Sequence, residues 1–320
     1  MFAVAAFSFD KLVIFGVGLI GGSLSRALRE RDDVGGARRV IGVGRSAAST
    51  ARALELGVID ATASLDDPVA LRDALAGADF VLLAAPVAQT QPLLERIAPL
   101  LDDMTIVTDA GSTKSDVVAA ARAALGSRIG QFVPGHPIAG RESSGVDAAL
   151  ADLYVDRKVV LCPLPENSAQ DVARVAAMWR ATGADVNDMS SEQHDRVLAS
   201  VSHLPHVLSF ALVEQILGSP DASLKFSFAA GGFRDFTRIA ASSPEMWRDV
   251  CVANRVALLD ELDAYTAVLA KLRASIEAGD GAALEAVFAR SRVARAGWQA
   301  GGSKTDGKTD GKTDADDASK

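Results

Sequence analysis

LVIFGVGLIGGSLSRAL, residues 12–28, joins a short apolar run to an amphipathic run through a turn that contains three glycines. The first run is typical of a buried strand and the second of a helix. Gly16, Gly18 and Gly21 have the spacing Gly-x-Gly-x-x-Gly at this junction. We expect Gly16 to permit the tight turn, Gly18 to let the backbone approach a pyrophosphate, and Gly21 to let the helix pack closely on the strand. Because unpaired N–H groups at a helix N-terminus attract anions, the stretch predicts a dinucleotide-binding turn.

Short β-branched runs alternate with amphipathic, helix-like runs as far as about Met189. The strand-like runs are LVIF, VIGV, FVLLAAP, TIVTDA, QFVPG, KVVLCP and DVNDM. This alternation predicts the α/β class, as a doubly wound Rossmann-type parallel sheet. After Met189 the strand signals end and long helical patterns follow. The predicted organisation is an N-terminal extension (1–10), a dinucleotide-binding domain (11–189), an all-helical domain (190–300) and a tail (301–320).

Two helix start signals lie in the helical part. Ser190 and Gln193 have capping-box spacing, and Ser243-Pro244-Glu245 places an N-cap serine before a proline and an acid. We therefore expect one long helix to begin at Pro244. Its largely apolar stripe recurs at steps of four and three: Trp247, Cys251, Asn254, Leu258, Leu262, Tyr265, Leu269, Leu272 and Ile276. Such a stripe is buried either in an intrachain helical core or, in the interpretation we favour, in the interface of a homodimer.

The composition limits the kind of partner. The 320 residues are 49% hydrophobic and 23% charged, and the formal net charge is −8. This is the composition of a soluble globular protein, and its acidic balance argues against a nucleic-acid partner, so a small-molecule ligand is expected. Cys162 and Cys251 are far apart and neither belongs to a Cys-x-x-Cys pair. They are predicted to be buried, reduced thiols, with neither a disulfide framework nor a metal site.

Neither a targeting signal nor a membrane span is predicted. The N-terminal stretch lacks the basic region of a secretory signal, so we expect a cytoplasmic location. Residues 197–217 have the length of a span, but polar residues and a proline interrupt them, so a buried helix is expected: His203, Pro205, His206, Glu214 and Gln215. The tail SKTDGKTDGKTDADDASK is repetitive and polar, which predicts disorder.

The residues after the second predicted strand bear on the choice of dinucleotide. An acidic residue usually accepts a hydrogen bond from the ribose 2′-hydroxyl of NAD there, but this chain reads Gly44-Arg45-Ser46. A guanidinium can pair with a 2′-phosphate, so we expect NAD or NADP to bind. Stacking of Arg45 on adenine, or exposure to solvent, is an equal alternative. Ser46, and Pro86 at the end of FVLLAAP, complete the residues predicted to contact the cofactor.

Four further segments occur together: DAGSTKS (109–115), HPIAGRE (136–142), SHLPH (202–206) and GGFRDFTRIAASSPEMW (231–247). In combination they resemble the prephenate dehydrogenase family, which includes arogenate and cyclohexadienyl dehydrogenases of tyrosine biosynthesis. The resemblance runs from Lys11 to about Trp298. It implies a dinucleotide-binding domain followed by a helical dimerisation domain, and oxidative decarboxylation of prephenate or arogenate with NAD or NADP.

The resemblance implies a chemical role for two residues. His136, in a loop between glycine and proline, would accept the proton of the ring C4 hydroxyl, a task suited to an imidazole that titrates near neutral pH. Without the other motifs, a lone histidine in such a loop is more often a hydrogen-bonded structural residue. Ser112 resembles the family serine that hydrogen-bonds near the base and the nicotinamide, and its structural alternative is to cap the following helix.

A dicarboxylate substrate requires compensating cations. Arg238 matches the family arginine that binds a substrate carboxylate, and its alternative is an interdomain salt bridge with Asp235. His203 and His206 share a helix face, and Pro205 is expected to kink that helix between them. His206 is expected to face the substrate and His203 to be structural.

Four more residues hold positions of interest. Glu142 and Trp247 occupy family-matched positions near the site, although their local sequence fixes no role. His194 also fits the family pattern, but in the first turn of a helix a structural role is favoured. Asp188, at a strand end, could pair with the ammonium group of arogenate or stand in an exposed loop, so both substrates stay open.

Two rival functions use part of the same pattern. A β-hydroxyacid dehydrogenase or imine reductase would use Lys114 as its acid and has no need of His136. A catalytically silent redox sensor would need only the dinucleotide turn. It leaves Ser112, His136 and Arg238 unexplained.

Overall fold

The computed structural model describes residues 7–30, 39–44, 46–141 and 143–302. Arg45, Glu142, most of the predicted N-terminal extension and nearly all of the predicted tail lie outside these described residues. Contacts divide the chain into two compact units, Met1–Glu261 and Leu262–Lys320. The predicted boundary between residues 189 and 190 stays a prediction, and helices on both sides of it belong to the first unit.

The first unit contains a six-stranded sheet in the order β3-β2-β1-β4-β5-β6, and every neighbouring pair is parallel. Its strands are β1 (Lys11–Phe15), β2 (Arg39–Gly44), β3 (Ala61–Ser64), β4 (Phe80–Leu83), β5 (Ile106–Asp109) and β6 (Phe132–Val133). The predicted doubly wound parallel sheet is thereby confirmed. The sequence ATAS of β3 carries no strand signal, because an edge strand of small and polar residues has little apolar surface to bury.

Both faces of the sheet are covered by helices that carry the chain from strand to strand. These helices are α1 (Leu19–Arg29), α2 (Ala47–Glu55), α3 (Pro68–Leu75), α4 (Thr90–Ile97) and α5 (Ser115–Leu125). A further helix, α6 (Ala169–Arg180), follows this sheet in the chain and contacts β6. In β1, Leu12 and Ile14 belong to one buried cluster and Val13 and Phe15 to another. Alternate side chains point to opposite faces of a strand, so this central strand is buried on both sides.

A second sheet contains the predicted base. It consists of β7 (Gly135–Pro137), β8 (Lys158–Leu161) and β9 (Asp185–Asp188), with β7 antiparallel and β9 parallel to β8. The assignment of KVVLCP and DVNDM to the main sheet was therefore wrong. The expectation that His136 lies in a loop was also wrong, since His136 belongs to β7 and pairs with Val160 of β8.

The remaining elements are helical. They are α7 (Ser191–Leu198), α8 (Leu204–Leu217), α9 (Ala222–Ser227), α10 (Gly231–Thr237), α11 (Pro244–Ala253), α12 (Arg255–Glu277) and α13 (Gly281–Gly302). Both predicted N-caps are confirmed, because Ser190 accepts the N–H of Gln193 and Ser243 that of Met246. Pro205 lies in the first turn of α8, and the five-residue π-helical segment Ala199–His203 precedes it. Near the start of a helix the missing N–H of a proline costs little, and the kink expected at Pro205 stays a prediction.

The single long helix predicted from Pro244 is wrong, because the chain breaks between α11 and α12 at Asn254. The buried side-chain amide of Asn254 donates to the backbone oxygen of Asp195 at 2.8 Å. This member of the stripe therefore forms a hydrogen bond and does not pack as an apolar residue. Earlier members of the stripe such as Trp247 and Leu258 are buried, whereas Leu269 and Ile276 are exposed.

Burial of the two cysteines differs from the prediction. Cys162 is buried, and burial raises the pKa of its thiol to about 12. Cys251 is only partly buried, so the expectation of burial was wrong for this residue.

One helical run, Ser191–Leu217, is long and apolar enough by length and composition to cross a membrane. Polar groups along it bond to other parts of the chain. His203 contacts the Asn254 side chain at 3.0 Å, and the Ser209 hydroxyl donates to the backbone oxygen of Phe236 at 3.2 Å. The expectation of a buried helix was nevertheless wrong for α8, in which only Leu204 and Ser209 are buried.

Candidate active site

The glycine-rich turn follows β1 and opens α1. Gly16 has a φ of +94°, and a Cβ there would meet the backbone oxygen of Ala84 at 2.5 Å. A Cβ on Gly21 would lie 2.4 Å from the backbone oxygen of Gly16. A Cβ on Gly18 would meet nothing within 4 Å. The turn is thus closed against the sheet on one side and leaves its backbone open at Gly18, where a pyrophosphate can approach.

A groove of about 720 Å³ extends from this turn along the end of β2. Gly16, Gly18, Gly44 and Ser46 are among its lining residues, and the Ser46 hydroxyl also accepts the N–H of Ser49 to cap α2. Pro86 is exposed directly beyond β4. An open glycine backbone beside the N-terminus of α1 fits a dinucleotide phosphate.

His136 stands at the junction of the two sheets. The buried carboxylate of Asp109, the last residue of β5, accepts the N–H of Gly135 at 3.0 Å and so holds the start of β7. It also accepts the N–H of Gly111 at 2.8 Å and pairs with the Lys114 ammonium. The Lys114 side chain is fully buried in this ion pair, which removes it from the role of a solvent-facing acid.

A chain of hydrogen bonds leads inward from His136. Its Nδ1 lies 2.8 Å from Nε2 of His194, and Nδ1 of His194 lies 2.8 Å from the Asp195 carboxylate. Nε2 of His136 has no hydrogen-bond partner among the described residues, and the residue is only partly buried. Nδ1 of the His136 ring is therefore hydrogen-bonded, whereas Nε2 is available to a substrate.

The same Asp195 carboxylate caps α5. It accepts the backbone N–H groups of Lys114 and Ser115, each at 2.8 Å. The structural alternative for Ser112, capping this helix, is therefore not what the structure has. Ser112 instead lies part-buried beyond β5, and His203 hydrogen-bonds to its backbone.

Burial sets the charge of these groups. Burial, followed by the nearby His194, Lys114 and His203, lowers the pKa of His136 well below its usual 6.5. Burial likewise lowers the pKa of His203 to about 4, although Asp195 opposes the shift. Burial alone raises the pKa of Asp195, but the hydrogen bonds from His194, Ser115 and Lys114 lower it to about 2. At neutral pH the network therefore contains an anionic Asp195 and an uncharged His136.

The predicted substrate residues form a second group on the helices. The His206 ring stacks on Trp247 with centroids 3.6 Å apart, and Nδ1 of His206 donates to the Ser202 backbone oxygen at 2.9 Å. Burial, and to a smaller degree the positive charge of Arg238, lower the pKa of His206, and the bond to Ser202 opposes the shift. The Trp247 ring also meets His203 edge-on, with centroids 6.0 Å apart. Trp247 thus links His206 to the histidine that contacts Ser112.

Two further predicted residues are exposed to solvent. Asp235 is exposed in α10, and Asp188 is exposed at the end of β9. Of the remaining predicted contacts, Glu142 and Arg45 lie in the undescribed gaps of the chain.

Sequence reasoning missed three residues that organise the site: Asp109, Asp195 and Asn254. Asp195 follows His194 directly in SSEQHD, and Asn254 is the strongly polar member of the α11–α12 stripe. A carboxylate beside a histidine and an amide within an apolar stripe were the available signals. Their partners are distant in sequence, which no local pattern reveals.

An open glycine turn on a parallel sheet, with an uncharged histidine where the two sheets meet, is the arrangement expected of an NAD(P)-dependent dehydrogenase. Residues 24–188 match the family model described as prephenate dehydrogenase, nucleotide-binding domain, and residues 190–290 match prephenate dehydrogenase, dimerization domain. The chain therefore belongs to the prephenate dehydrogenase family, whose members are NAD-dependent oxidoreductases.

Individual relatives cover most of the chain. It is 39% identical to the cyclohexadienyl dehydrogenase of Zymomonas mobilis, over 90% of this chain and 95% of that protein. It is 38% identical to the prephenate dehydrogenase of Bacillus subtilis, over 90% of this chain and 76% of that protein. The Aquifex aeolicus prephenate dehydrogenase, solved with hydroxyphenyl propionate and NAD+, has 34% identity and a TM-score of 0.82, covering 91% of this chain and 98% of that one.

Proposed function

We propose that the chain catalyses the NAD(P)-dependent oxidative decarboxylation of prephenate to 4-hydroxyphenylpyruvate, with His136 as the proton acceptor. One observation carries the assignment of the base: Nδ1 of His136 is bound to His194 while Nε2 is open. An uncharged imidazole so held can receive a proton without first losing one.

The cofactor is assigned to the groove that begins at Gly18. Gly16, Gly18 and Gly21 shape its phosphate turn, and Ser46 lines it. Pro86, exposed beyond β4, is the further proposed contact to the cofactor. When bound, the dinucleotide accepts hydride from the substrate ring. Arg45 should allow NADP to bind as well as NAD, because a guanidinium attracts a 2′-phosphate and the usual acidic residue is absent.

The substrate side is assigned to the helices. Arg238 pairs with a substrate carboxylate, and His206 and Trp247 flank it as a stacked pair. His136 takes the proton of the ring C4 hydroxyl as the ring is oxidised, and loss of carbon dioxide then makes the ring aromatic. Ser112 hydrogen-bonds beside the base, and His203 holds its backbone. Glu142 and Asp235 complete the proposed substrate contacts.

Arogenate is the alternative substrate. Relatives named cyclohexadienyl dehydrogenase and, with 28% identity and a TM-score of 0.73, Synechocystis arogenate dehydrogenase favour testing it. The substrates differ by a keto or an amino group, so an acidic residue such as Asp188 would discriminate between them.

A homodimer is the assembly we assign, located in the cytoplasm. Support comes from the match to a dimerization domain and from apolar side chains exposed on α12 and α13: Leu259, Val268, Leu269, Ile276, Phe288, Val293 and Trp298. The domain boundary that accompanies this assignment falls between residues 189 and 190.

One assay tests the proposal. Purified protein is mixed with prephenate or arogenate and with NAD or NADP, and the absorbance of the reduced dinucleotide is followed. The proposal expects turnover with prephenate. Absence of turnover in all four combinations contradicts the proposed function, and turnover with arogenate alone replaces it by the alternative.

A further inference from the structure

We propose that His194 and Asp195 are positioning residues that select the tautomer of His136. Asp195 keeps the proton of His194 on Nδ1, Nε2 of His194 accepts the Nδ1–H of His136, and Nε2 of His136 is thereby left as the proton-accepting atom. The series of hydrogen bonds from Asp195 through His194 to His136 follows from the observed distances. Only the use of His136 as the base rests on the proposed function.

Asp195 determines which group donates and which accepts in the series of hydrogen bonds from His136 to Asp195. A carboxylate only accepts hydrogen bonds, and this one already accepts from the backbone of Lys114 and Ser115 at the start of α5. Those two bonds use both oxygens and fix the plane of the group. The Asn254 amide anchors the backbone of the same residue at 2.8 Å. The acceptor therefore has a fixed position from which to orient the neighbouring ring.

His194 connects Asp195 to His136 and thereby decides which nitrogen of His136 carries the proton. Its side chain is fully buried, and each ring nitrogen has one partner, the Asp195 carboxylate on Nδ1 and His136 on Nε2. Because the carboxylate cannot donate, the Nδ1 position carries the proton. In a ring with a single proton, Nε2 is then an acceptor.

The consequence falls on His136. Its Nδ1 can bond to an accepting nitrogen only by donating, so its own proton resides on Nδ1. Nε2 then carries a lone pair and no proton. The opposite tautomer would place two lone pairs against each other at 2.8 Å and would present an N–H where a base is required.

Two substitutions separate this role from simple packing. His194→Asn keeps an amide N–H near Asp195 but does not reach His136, and we expect kcat to fall about 10- to 100-fold, as is typical when a supporting partner of a reactive group is lost. The KM for the dinucleotide should stay near wild type, and protein fluorescence shows that each variant is folded, because loss of buried His194 contacts lowers stability as well. His194→Gln places a carboxamide oxygen where Nε2 stood, so it should recover most of the lost kcat. Arg196→Gln, at an exposed position of the same helix, is the matched control.

Equal loss of kcat in His194→Asn and His194→Gln, or an unchanged kcat in His194→Asn, overturns the proposal. The second readout is independent of activity. Two-bond 1H–15N correlation spectra of histidine-labelled wild-type protein should show neutral His136 protonated on Nδ1, with its signals assigned by their disappearance in His136→Asn. Protonation on Nε2 overturns the proposal even where the His194 variants do not fold. Full activity of His136→Asn would instead contradict the proposed base while leaving the tautomer result intact.

Discussion

His136 and His206 are both partly enclosed histidines near the candidate site, but their surroundings differ. His136 stands on a strand and is tied through His194 to a carboxylate that also caps α5. His206 stands on a helix, stacked on Trp247 and close to the exposed Arg238. The first region is a fixed hydrogen-bonded network, and the second is a stacked ring pair on the helices, with Arg238 exposed. Preorganisation suits proton transfer, whereas an accessible charge suits capture of an anionic substrate.

The largest effect is expected in the enclosed region. His136→Asn removes the proposed proton acceptor while retaining a polar side chain, so kcat should fall about 10²- to 10⁴-fold. The binding of NAD, followed by titration of protein fluorescence, should change little because the glycine turn is untouched. Near-normal turnover in this variant contradicts the role of His136.

The buried ion pair of Asp109 and Lys114 should contribute more to the free energy of unfolding than an exposed charge does. Asp109→Asn leaves the buried Lys114 ammonium without its counterion, and loss of one partner of a buried pair typically costs about 3–5 kcal/mol. Urea unfolding measures this free energy. Exposed Arg96, whose contact with Asp66 is 3.8 Å long, gives the control Arg96→Gln, for which a change within about 0.5 kcal/mol is expected. Equal stability of the Asp109 and Arg96 variants would show that the network does not organise β7.

Arg238→Gln tests the region around His206, where we expect substrate binding to change and stability to stay the same. A charge-assisted hydrogen bond contributes about 1.5–3 kcal/mol, so the KM for prephenate should rise about 10- to 100-fold. The unfolding free energy should stay close to that of wild type, because the side chain is exposed. A change in stability without a change in KM would favour the structural salt-bridge alternative for this arginine.

The stack on Trp247 should give a smaller effect. Trp247→Phe retains an aromatic ring but reduces its overlap with His206, and such ring pairs contribute about 0.5–1.5 kcal/mol. We expect a several-fold rise in the KM for prephenate, measured in the same assay, with kcat little changed. A kcat loss as large as that of His136→Asn would place Trp247 in the chemical step.

The sequence predicts those features of both regions that are decided locally. The glycine turn, the parallel sheet and the serine caps before α7 and α11 follow from residues only a few positions apart. The second sheet could not be predicted in the same way, because β7 and β9 are short and their pairing with β8 depends on tertiary contacts. Asp195 caps a helix that begins 80 residues earlier in the chain. Asn254 likewise breaks an otherwise regular helix through a partner 59 residues away.

The pH dependence of kcat/KM tests most directly the claim that an uncharged, buried His136 is the base. Burial and neighbouring His194, Lys114 and His203 lower its pKa, and the other charged groups of this network are Asp109, paired with Lys114, and Asp195, bonded to His194. A base acts unprotonated, so activity should be constant above pH 6.5 and decline only as pH falls through the lowered pKa. Protein fluorescence at each pH would show that the fold persists over the range. An acidic limb below pH 6.5 that is absent from the residual activity of His136→Asn is the predicted result, and a limb at or above pH 6.5, or one that survives in that variant, contradicts the account.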